Sequence, residues 1–316
     1  MAVISQGAQP RIALDLYDKK LIFYLSQNSR ESLSSLAKKL NSSPQKIKYK
    51  IERLTKELLE PGIFMNFNLI DIKSYIIYLR DCNTETIKKL MSSNGIYFLM
   101  QSIGTFQWVL NVVTNDIDKF CKEYLSEKHF EIHPIIRSIP DDYNPFNLSI
   151  KPNELKSDTA LELNKLDYNL LIYLIKNPTE SMLKISQNTK IDRKTIQQRI
   201  KKYEQCNLIQ KFRYGINIFK MGYLIYTLEV KTIPKLKNAV LSFIRTNKYS
   251  GFVFESYNSY TMHFLPPSHN DLMKFIEELK QFDPTVNIEV LQNTEFFKVQ
   301  LVPDSVIEIL KERTLN

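Results

Sequence analysis

The chain has 316 residues and carries 43 lysines and arginines against 34 aspartates and glutamates, a formal net charge of +9. This length allows two or more domains, and the excess positive charge permits a polyanionic partner such as nucleic acid without requiring one. Three scattered cysteines without a CxxC pair argue against a disulfide framework. The sequence has no apolar run of about 18 residues and no secretory-type N-terminal segment, so we expect a cytoplasmic protein that does not bind membranes.

Three short helices are predicted near the start of the chain, over 16–27, 33–40 and 44–58. Ser32 and Ser43 are suitable N-caps, and Pro44 falls in a first helical turn, where its missing N–H costs little. Three short helices with a short gap between the second and the third are typical of a helix-turn-helix. The segment EPGIFMNFNL over 60–69 is predicted to begin a small wing.

The third of these helices combines an apolar stripe with a basic stripe. At about 100° per residue the apolar stripe contains Ile47, Ile51, Leu54 and Leu58, and it is expected to pack on the two preceding helices. Lysine and arginine on the outward stripe can reach phosphates or guanine edges in a major groove, and glutamine can read adenine. The alternative is a solvated charged face. The candidate DNA contacts of this helix are Pro44, Gln45, Lys46, Tyr49, Lys50 and Arg53.

Strands and helices alternate in the next part of the chain. The pattern predicts a strand over 75–80, a helix over 84–92, strands over 96–102 and 106–113, a helix over 117–125 and a strand over 130–139. This β-α-β-β-α-β order is the arrangement of a ferredoxin-like domain. His129 and His133 are four residues apart, but the alternating pattern and Pro134 favour a strand, so no metal ligand is predicted.

The second half of the chain repeats the first. LYDKKLIFYL over 16–25 and KLDYNLLIYL over 165–174 align at a constant offset of 149 residues, which places Asp18 on Asp167. After one net deletion, the alignment places Tyr75 on Tyr223 and Tyr78 on Tyr226. The chain is therefore interpreted as a tandem duplication, with a first and a second copy of about 150 residues each.

The duplication predicts an α+β protein in which each copy is a winged helix-turn-helix followed by a ferredoxin-like βαββαβ domain. The predicted limits are 14–66 and 67–140 in the first copy, a linker over 141–160, and 161–215 and 216–303 in the second copy. In the last domain the predicted elements are 223–230, 234–246, 252–257, 260–265, 271–282 and 287–302. The linker is rich in proline, asparagine and aspartate, which suits an extended segment.

The third helix of the second copy is also basic. Between Lys190 and Lys202 the sequence has six basic residues and one acid, Asp192. Both copies keep basic character on the same face while the individual residues differ, so DNA contact is the favoured interpretation. The candidate DNA contacts of this helix are Arg193, Lys194, Thr195, Gln198, Arg199 and Lys202.

Several motifs together resemble the Lrp/AsnC family of prokaryotic transcription regulators. LDLYDKKLI over 14–22 matches the pattern L-D-x-x-D-x-x-I-L, and SPQKIKYKIERL over 43–54 resembles S-P-x-x-V-x-x-R-V-x-x-L. IGTFQWVLNVVTNDIDKF over 103–120 is similar to the T-G-x-Y-D turn and the following run of the family's effector domain. The second copy matches more weakly: it has Asn207 where glycine is usual, and Asp192-Arg193 where Ser-Pro is usual.

This resemblance implies a sequence-specific transcription regulator that binds double-stranded DNA and is not an enzyme. The family's effector domains bind small molecules near the turn glycine, which places candidate effector contacts at Gly104, Thr105 and Gln107. Those domains also self-associate in pairs, so the two copies of this chain are expected to pair as a pseudo-dimer. Because the two recognition helices differ, we expect two unlike half-sites, about one helical turn or a multiple apart. No catalytic residue and no cofactor are predicted.

Two other functions are compatible with the same plan. Sirohaem decarboxylases have a similar architecture, and such an enzyme would need histidine and arginine lining a large cleft. The available cluster is His129, His133 and Arg137. The basic recognition face in both copies favours DNA binding over this activity. The third function is a protein-interaction scaffold, in which a degenerate second winged helix binds protein instead of DNA.

Overall fold

The computed structural model describes residues 12–126, 128–139 and 158–315. These residues divide into two compact units. One contains 12–70, 158–221 and 304–315, and the other contains 71–126, 128–139 and 222–303. The two helix-turn-helix copies therefore share one unit, and the two ferredoxin-like copies share the other. Residues 141–157 of the predicted linker lie outside the described residues.

Helices and strands are numbered in chain order. The helices are α1 (Leu16–Gln27), α2 (Leu33–Lys39), α3 (Pro44–Glu57), α4 (Thr84–Ser92), α5 (Ile117–Tyr124), α6 (Lys165–Lys176), α7 (Met182–Thr189), α8 (Arg193–Gln205), α9 (Lys237–Thr246), α10 (His269–Phe282) and α11 (Asp304–Leu315). The strands are β1 (Leu59–Met65), β2 (Ser74–Leu79), β3 (Ile96–Ile103), β4 (Trp108–Val113), β5 (Phe130–Ile135), β6 (Arg137–Ile139), β7 (Ile209–Ile216), β8 (Ile225–Lys231), β9 (Ser250–Glu255), β10 (Ser259–Phe264) and β11 (Asn287–Val299). Short 3-10 helices occupy Phe67–Ile70, Phe219–Met221 and Pro234–Leu236.

Side-chain caps begin the helices of both helix-turn-helix copies. Asp15 caps α1 and Asn164 caps α6, and each forms a capping box with the aspartate three residues later. The predicted N-caps Ser32 and Ser43 are confirmed, because each hydroxyl accepts the backbone N–H three residues further on. Pro44 lies in the first turn of α3, as predicted. Local sequence signals therefore define where these helices begin.

The segment predicted to begin a wing forms β1, which pairs antiparallel with β7 of the other copy. The register runs from Leu59 opposite Ile216 to Met65 opposite Ile209. The two copies thus share one two-stranded ribbon, and neither segment folds back on a hairpin of its own. Asn207 leads into β7 with a left-handed φ of 65°, a conformation that asparagine tolerates better than most residues other than glycine.

Helix α11 extends this unit beyond the elements predicted from sequence. No element was predicted over residues 304–315, where α11 packs against α6 and buries Val306 and Leu310. Arg313 Nη1 also donates a hydrogen bond to the carbonyl oxygen of Ile70 at 2.5 Å. The helix therefore contacts both copies, since α6 belongs to the second and Ile70 to the first.

Both predicted β-α-β-β-α-β domains are confirmed. Their strands lie in the orders β5-β2-β4-β3 and β11-β8-β10-β9, which are equivalent in the two copies. Over the described ranges they join into one nine-stranded antiparallel sheet, because β3 pairs with β11 and β6 pairs with β9. Only Ile136 separates β5 from β6. Because β5 pairs with β2 at one end of the sheet and β6 pairs with β9 at the other, this segment closes the sheet into a ring. The helices cover the outer face of this ring, over cores that include Leu110 and Phe120 in the first copy and Leu228 and Phe264 in the second.

The alignment of Tyr78 with Tyr226 is wrong. Tyr226 lies in the helix-side core of the second copy, whereas Tyr78 faces the inside of the ring. The register of β2 on β4 and of β8 on β10 makes Glu229 the equivalent of Tyr78. The same displacement applies to Tyr75 and Tyr223. The matching tyrosine spacing favoured the wrong register because residue identity alone does not show which face of a strand is buried.

Candidate nucleic-acid interface

Helices α3 and α8 are the third helices of the two helix-turn-helix copies, and each buries one face. The buried residues are Ile47 and Leu54 in α3, and Ile196, Ile200 and Tyr203 in α8. At about 100° per residue, the line of residues directly opposite forms what we call the outer ridge. The outer ridge contains Gln45, Tyr49, Glu52 and Lys56 in α3, and Lys194, Gln198, Lys201 and Gln205 in α8.

The basic stripe predicted on α3 lies beside the outer ridge, and two of its cations bind acids of α1 and its cap. Lys50 Nζ lies 2.7 Å from Asp18 Oδ1 and 3.0 Å from Asp15 Oδ2. Arg53 Nη2 lies 2.6 Å from Asp18 Oδ2. The side chains of Asp18 and Lys50 are only 2% and 12% exposed. These two predicted DNA contacts therefore hold α3 against the start of α1.

The ion pair also fixes the charge of both cations. Burial alone would lower the pKa of Lys50, but its hydrogen bonds to Asp18 and Asp15 more than offset this and raise it. The hydrogen bond to Asp18 likewise raises the pKa of Arg53. Both side chains stay positively charged, and the charge is neutralised within the protein.

The remaining predicted contacts of α3 are more accessible. Gln45, Lys46 and Tyr49 are exposed, and Tyr49 keeps 67% of its surface in contact with solvent. Lys46 Nζ lies 5.0 Å from the centre of the Tyr17 ring, a cation–π contact that leaves the ammonium exposed. Pro44 is half-buried at the start of the helix. The exposed predicted contacts of α3 are therefore one amide, one phenol and one lysine.

In the second copy Asp167 occupies the position equivalent to Asp18. Both of its carboxylate oxygens lie 2.8 Å from Arg199 Nη1, and the Tyr203 hydroxyl donates to Oδ1 at 2.6 Å. Burial and the bond to Asp167 raise the pKa of Tyr203, so the phenol stays protonated. Thr195 also has an internal partner, since its hydroxyl donates a hydrogen bond to the N-cap Asp192 at 2.5 Å. Two predicted DNA contacts of α8 are therefore engaged internally.

Exposed cations remain on α8. Arg193, Lys194, Lys201 and Lys202 all lie at the surface, and none forms an ion pair with a residue in the described ranges. The predicted contacts Arg193, Lys194, Gln198 and Lys202 thus share one accessible surface. Lys201 and Gln197 belong to the same surface and were not predicted. The period of the buried Ile196 and Ile200 would have identified Lys201 as outward-facing.

The three residues predicted to bind an effector lie together in the exposed turn between β3 and β4. Gly104 has a φ of 147°, and a Cβ there would lie 2.6 Å from Leu291 Cδ2 and 3.2 Å from the carbonyl oxygen of Val290. A side chain at this position would be strained and would crowd β11. Thr105 and Gln107 are exposed beside it. Packing between the two copies is a sufficient physical reason for this glycine.

The cluster considered for a decarboxylase is divided between two carboxylates of the second copy. His133 Nδ1 lies 3.0 Å from Glu229 Oε1, and Arg137 Nη2 lies 2.6 Å from Glu255 Oε2, while His129 is exposed. The bond to Glu229 raises the pKa of His133. Burial alone would raise the pKa of Glu229, but the bond from His133 and the charges of His133 and Lys231 lower it.

Two further features are absent from the described part of the chain. It holds no group of three or more histidine, cysteine, aspartate or glutamate side chains placed to bind a metal ion. It also contains no helix that is long and apolar enough to cross a membrane.

Comparison with known proteins identifies the two helix-turn-helix copies. A family model described as winged helix-turn-helix DNA-binding matches residues 14–57 and again residues 163–210. The chain contains two winged helix-turn-helix domains. The HTH-type transcriptional regulator Ptr1 of Methanocaldococcus jannaschii is 26% identical over 129 residues, which are 39% of this chain and 84% of that protein. The predicted resemblance to the Lrp/AsnC family is confirmed, in tandem.

Solved structures are similar to this chain over different lengths. The siroheme decarboxylase NirDL matches 94% of this chain and 98% of its own, with a TM-score of 0.60 and 12% identity. AsnC of E. coli matches 45% of this chain and 100% of its own, with a TM-score of 0.34 and 18% identity. The NirDL similarity shows a shared fold over nearly the whole chain, and at this identity it shows the fold alone.

Proposed function

We propose that this chain is a transcription regulator that binds double-stranded DNA through its two winged helix-turn-helix domains. The observation that carries the proposal is that one compact unit holds two such domains, each exposing cationic and amide side chains on its third helix. Such side chains contact phosphates and base edges when a helix lies in the major groove. The similarity to a relative named as a transcriptional regulator supports the same conclusion.

The proposed contacts are the accessible members of the predicted set. They are Gln45, Lys46 and Tyr49 on α3, and Arg193, Lys194, Gln198 and Lys202 on α8. Pro44 and Thr195 shape the starts of these helices. We assign Lys50, Arg53 and Arg199 a positioning role, because their bonds to Asp18 or Asp167 hold each third helix against the first helix of its copy.

We further propose that one chain supplies both halves of the DNA-binding pair. The pairing of β3 with β11 and of β6 with β9 supports this, because it joins the two effector copies within one sheet. Once the first winged helix-turn-helix domain is bound to DNA, the second domain on the same chain binds at a raised effective concentration. Since α3 and α8 expose different side chains, the preferred site would have two unlike halves, about one helical turn or a multiple apart.

Two other predictions stay proposals about the effector unit. A small-molecule effector would bind at the exposed turn of Gly104, Thr105 and Gln107. The second prediction is the set of domain limits, 14–66, 67–140, 161–215 and 216–303. Exchanging these segments with those of single-copy regulators would test whether each one folds as a domain.

The proposal is tested by fluorescence anisotropy with the full chain. A labelled duplex from upstream of its own gene and a random-sequence duplex would be titrated across a salt series. We expect binding to both, tighter to the former, and weakening as salt rises because phosphate contacts release counterions. Systematic selection from random duplexes should return a site with unlike halves. Failure to bind either duplex at low salt, or a strictly palindromic selected site, would contradict the corresponding part of the proposal.

The fold shared with NirDL makes tetrapyrrole binding a second candidate, which the same preparation can test. Titration with an iron porphyrin would be followed by its visible absorption band, with His133→Gln as the matched variant. We expect no saturable shift, because His133 and Arg137 are already bound to carboxylates. A saturable shift that the variant abolishes would favour the enzyme.

A further inference from the structure

We infer that the two recognition helices divide the work of DNA binding: α8 supplies most of the phosphate contacts, and α3 contributes contacts that depend little on salt. This inference rests on the proposed function. It follows from which cations the fold leaves free. The sequence alone gives both helices similar basic character, and the difference arises from internal ion pairs.

On α3 three of the five cations already lie beside a carboxylate, and Lys46 and Lys56 do not. Lys50 and Arg53 bind Asp18, and Lys48 lies 3.9 Å from Glu52, one helical turn further on. Glu52 also places a negative charge on the outer ridge itself. A DNA phosphate approaching this ridge would therefore meet a carboxylate beside few free cations, and repulsion would offset part of the attraction.

The chemistry that α3 does expose is mainly uncharged. Gln45 and Tyr49 lie one helical turn apart on the outer ridge, and Tyr49 is 67% exposed. A glutamine amide can pair with the N6 and N7 edge of adenine, and an aromatic ring can pack on the thymine methyl group. Neither contact releases counterions, so this helix would contribute sequence preference with a small salt dependence.

On α8 the distribution is reversed. Asp167 forms an ion pair with one cation, Arg199, and its other hydrogen-bond donor is the uncharged Tyr203 hydroxyl. Lys194 and Lys201 therefore lie on the outer ridge without an acid partner among the described residues, and Arg193 and Lys202 flank them. Four exposed ammonium and guanidinium groups along one helix form the kind of surface that tracks a phosphate backbone.

Two matched triple variants test this division. Lys194→Gln/Lys201→Gln/Lys202→Gln and Lys46→Gln/Lys48→Gln/Lys56→Gln each remove three exposed lysines from one helix, so they change the net charge equally. Glutamine has a helix propensity close to that of lysine, and the replaced side chains are at the surface, so both variants should fold. Circular dichroism and thermal unfolding would verify this.

The readout is the slope of log K against log salt for a random-sequence duplex. Each lost phosphate contact makes this negative slope shallower by about 0.9. The α8 triple variant should therefore reduce the magnitude of the slope by about 2–3, and the α3 triple variant by less than about 1. Equal losses, or a larger loss for the α3 variant, would overturn the inference. No binding by the unmodified chain would overturn the proposed function instead, and this inference with it.

A second variant tests the contribution assigned to α3. Gln45→Ala/Tyr49→Ala should reduce the preference for the selected site over random sequence by about tenfold or more, while leaving the salt slope unchanged. An unchanged preference for the selected site, or a salt slope that becomes shallower with these uncharged substitutions, would contradict the assignment of salt-independent contacts to α3.

Discussion

In the first helix-turn-helix copy, Asp18 pairs with two cations, Lys50 and Arg53. In the second copy Asp167 pairs with one cation, Arg199, and accepts a hydrogen bond from the neutral Tyr203 hydroxyl. The acid stands at the same place in both, where it also completes the capping box of the first helix. Duplication has thus kept the buried carboxylate and changed the groups that satisfy it. One copy uses two cations for this purpose and the other uses one, and this difference decides how much positive charge each third helix leaves exposed.

The two ferredoxin-like copies show the same relationship. Glu229 of the second copy occupies the place of Tyr78 in the first, and both face the inside of the ring. Tyr78 donates or accepts a hydrogen bond of 2.8 Å with Thr261, while Glu229 is paired with His133. Each partner comes from the opposite copy. The two copies therefore make different contacts at equivalent positions, whereas a symmetric pair of identical chains would make the same contact twice.

The largest effect is expected from removing the acid of the second copy. Asp167→Ala would leave Arg199 without its carboxylate and the fully buried Tyr203 hydroxyl without its acceptor. Breaking a buried pair of this kind costs about 3–5 kcal/mol. We expect a loss of that size in the free energy of unfolding, measured with urea.

The corresponding change in the first copy sharpens the comparison. Asp18→Ala should cost less, about 2 kcal/mol, because Arg53 is 40% exposed and can be hydrated, and Asp15 can still accept from Lys50. Glu52→Ala, which removes only an exposed pair, should change stability by less than about 0.5 kcal/mol. If all three variants unfold alike, the two buried acids do not have the role assigned to them.

A smaller effect that depends on pH is expected from the bond between His133 and Glu229. His133→Gln removes a hydrogen bond to a charged group, which costs about 1.5–3 kcal/mol where both partners are ionised. The raised pKa of His133 means that its contribution is fully present below its unfolded value, near 6.5, and is lost as pH rises through the folded value. The lowered pKa of Glu229 means that its contribution is lost as the solution is acidified below its unfolded value, near 4.5.

The advantage of the unmodified chain over His133→Gln should therefore be greatest between these limits and should shrink on the alkaline side. Urea unfolding of both proteins at several values from about pH 5 to pH 9 measures this. Glu131, Lys231, Glu289 and Tyr78 also face this pair, and both proteins keep them, so the difference isolates His133. A difference that is constant with pH would show that folding does not change the pKa of His133, which would contradict the assigned bond.

The smallest effect concerns the entry to the ribbon. Asn207 has a φ of 65°, whereas its counterpart in the first copy, Leu58, has a φ of −132°. Asn207→Ala should cost about 1–2 kcal/mol more than Asn207→Gly, since only alanine pays the steric penalty of the left-handed region. Both variants lose the bond from Asn207 Nδ2 to Asp158 Oδ1, which makes glycine the matched control. Equal melting temperatures would show that the conformation relaxes.

Much of the fold was readable from the sequence because its signals are local. The N-caps Ser32 and Ser43 lie beside the helices that they begin, and the alternation within each strand identified both βαββαβ domains. The ribbon of β1 with β7 was not predicted, because its partners are about 150 residues apart and the local pattern fits a hairpin equally well. The tyrosine register failed for a similar reason, since only strand pairing decides which face is inside.

For the candidate site, the sequence by itself determined that two basic helices of helix-turn-helix type exist and which of their faces is buried, because helical periodicity depends on neighbouring residues alone. Only the tertiary structure decided which cations are free. Lys50 and Arg199 each bind an acid 32 residues earlier in the chain, and no periodic pattern within a helix contains that information. The physical reason is that charge is neutralised across distances in space, which the fold sets, while the sequence orders residues only along the chain.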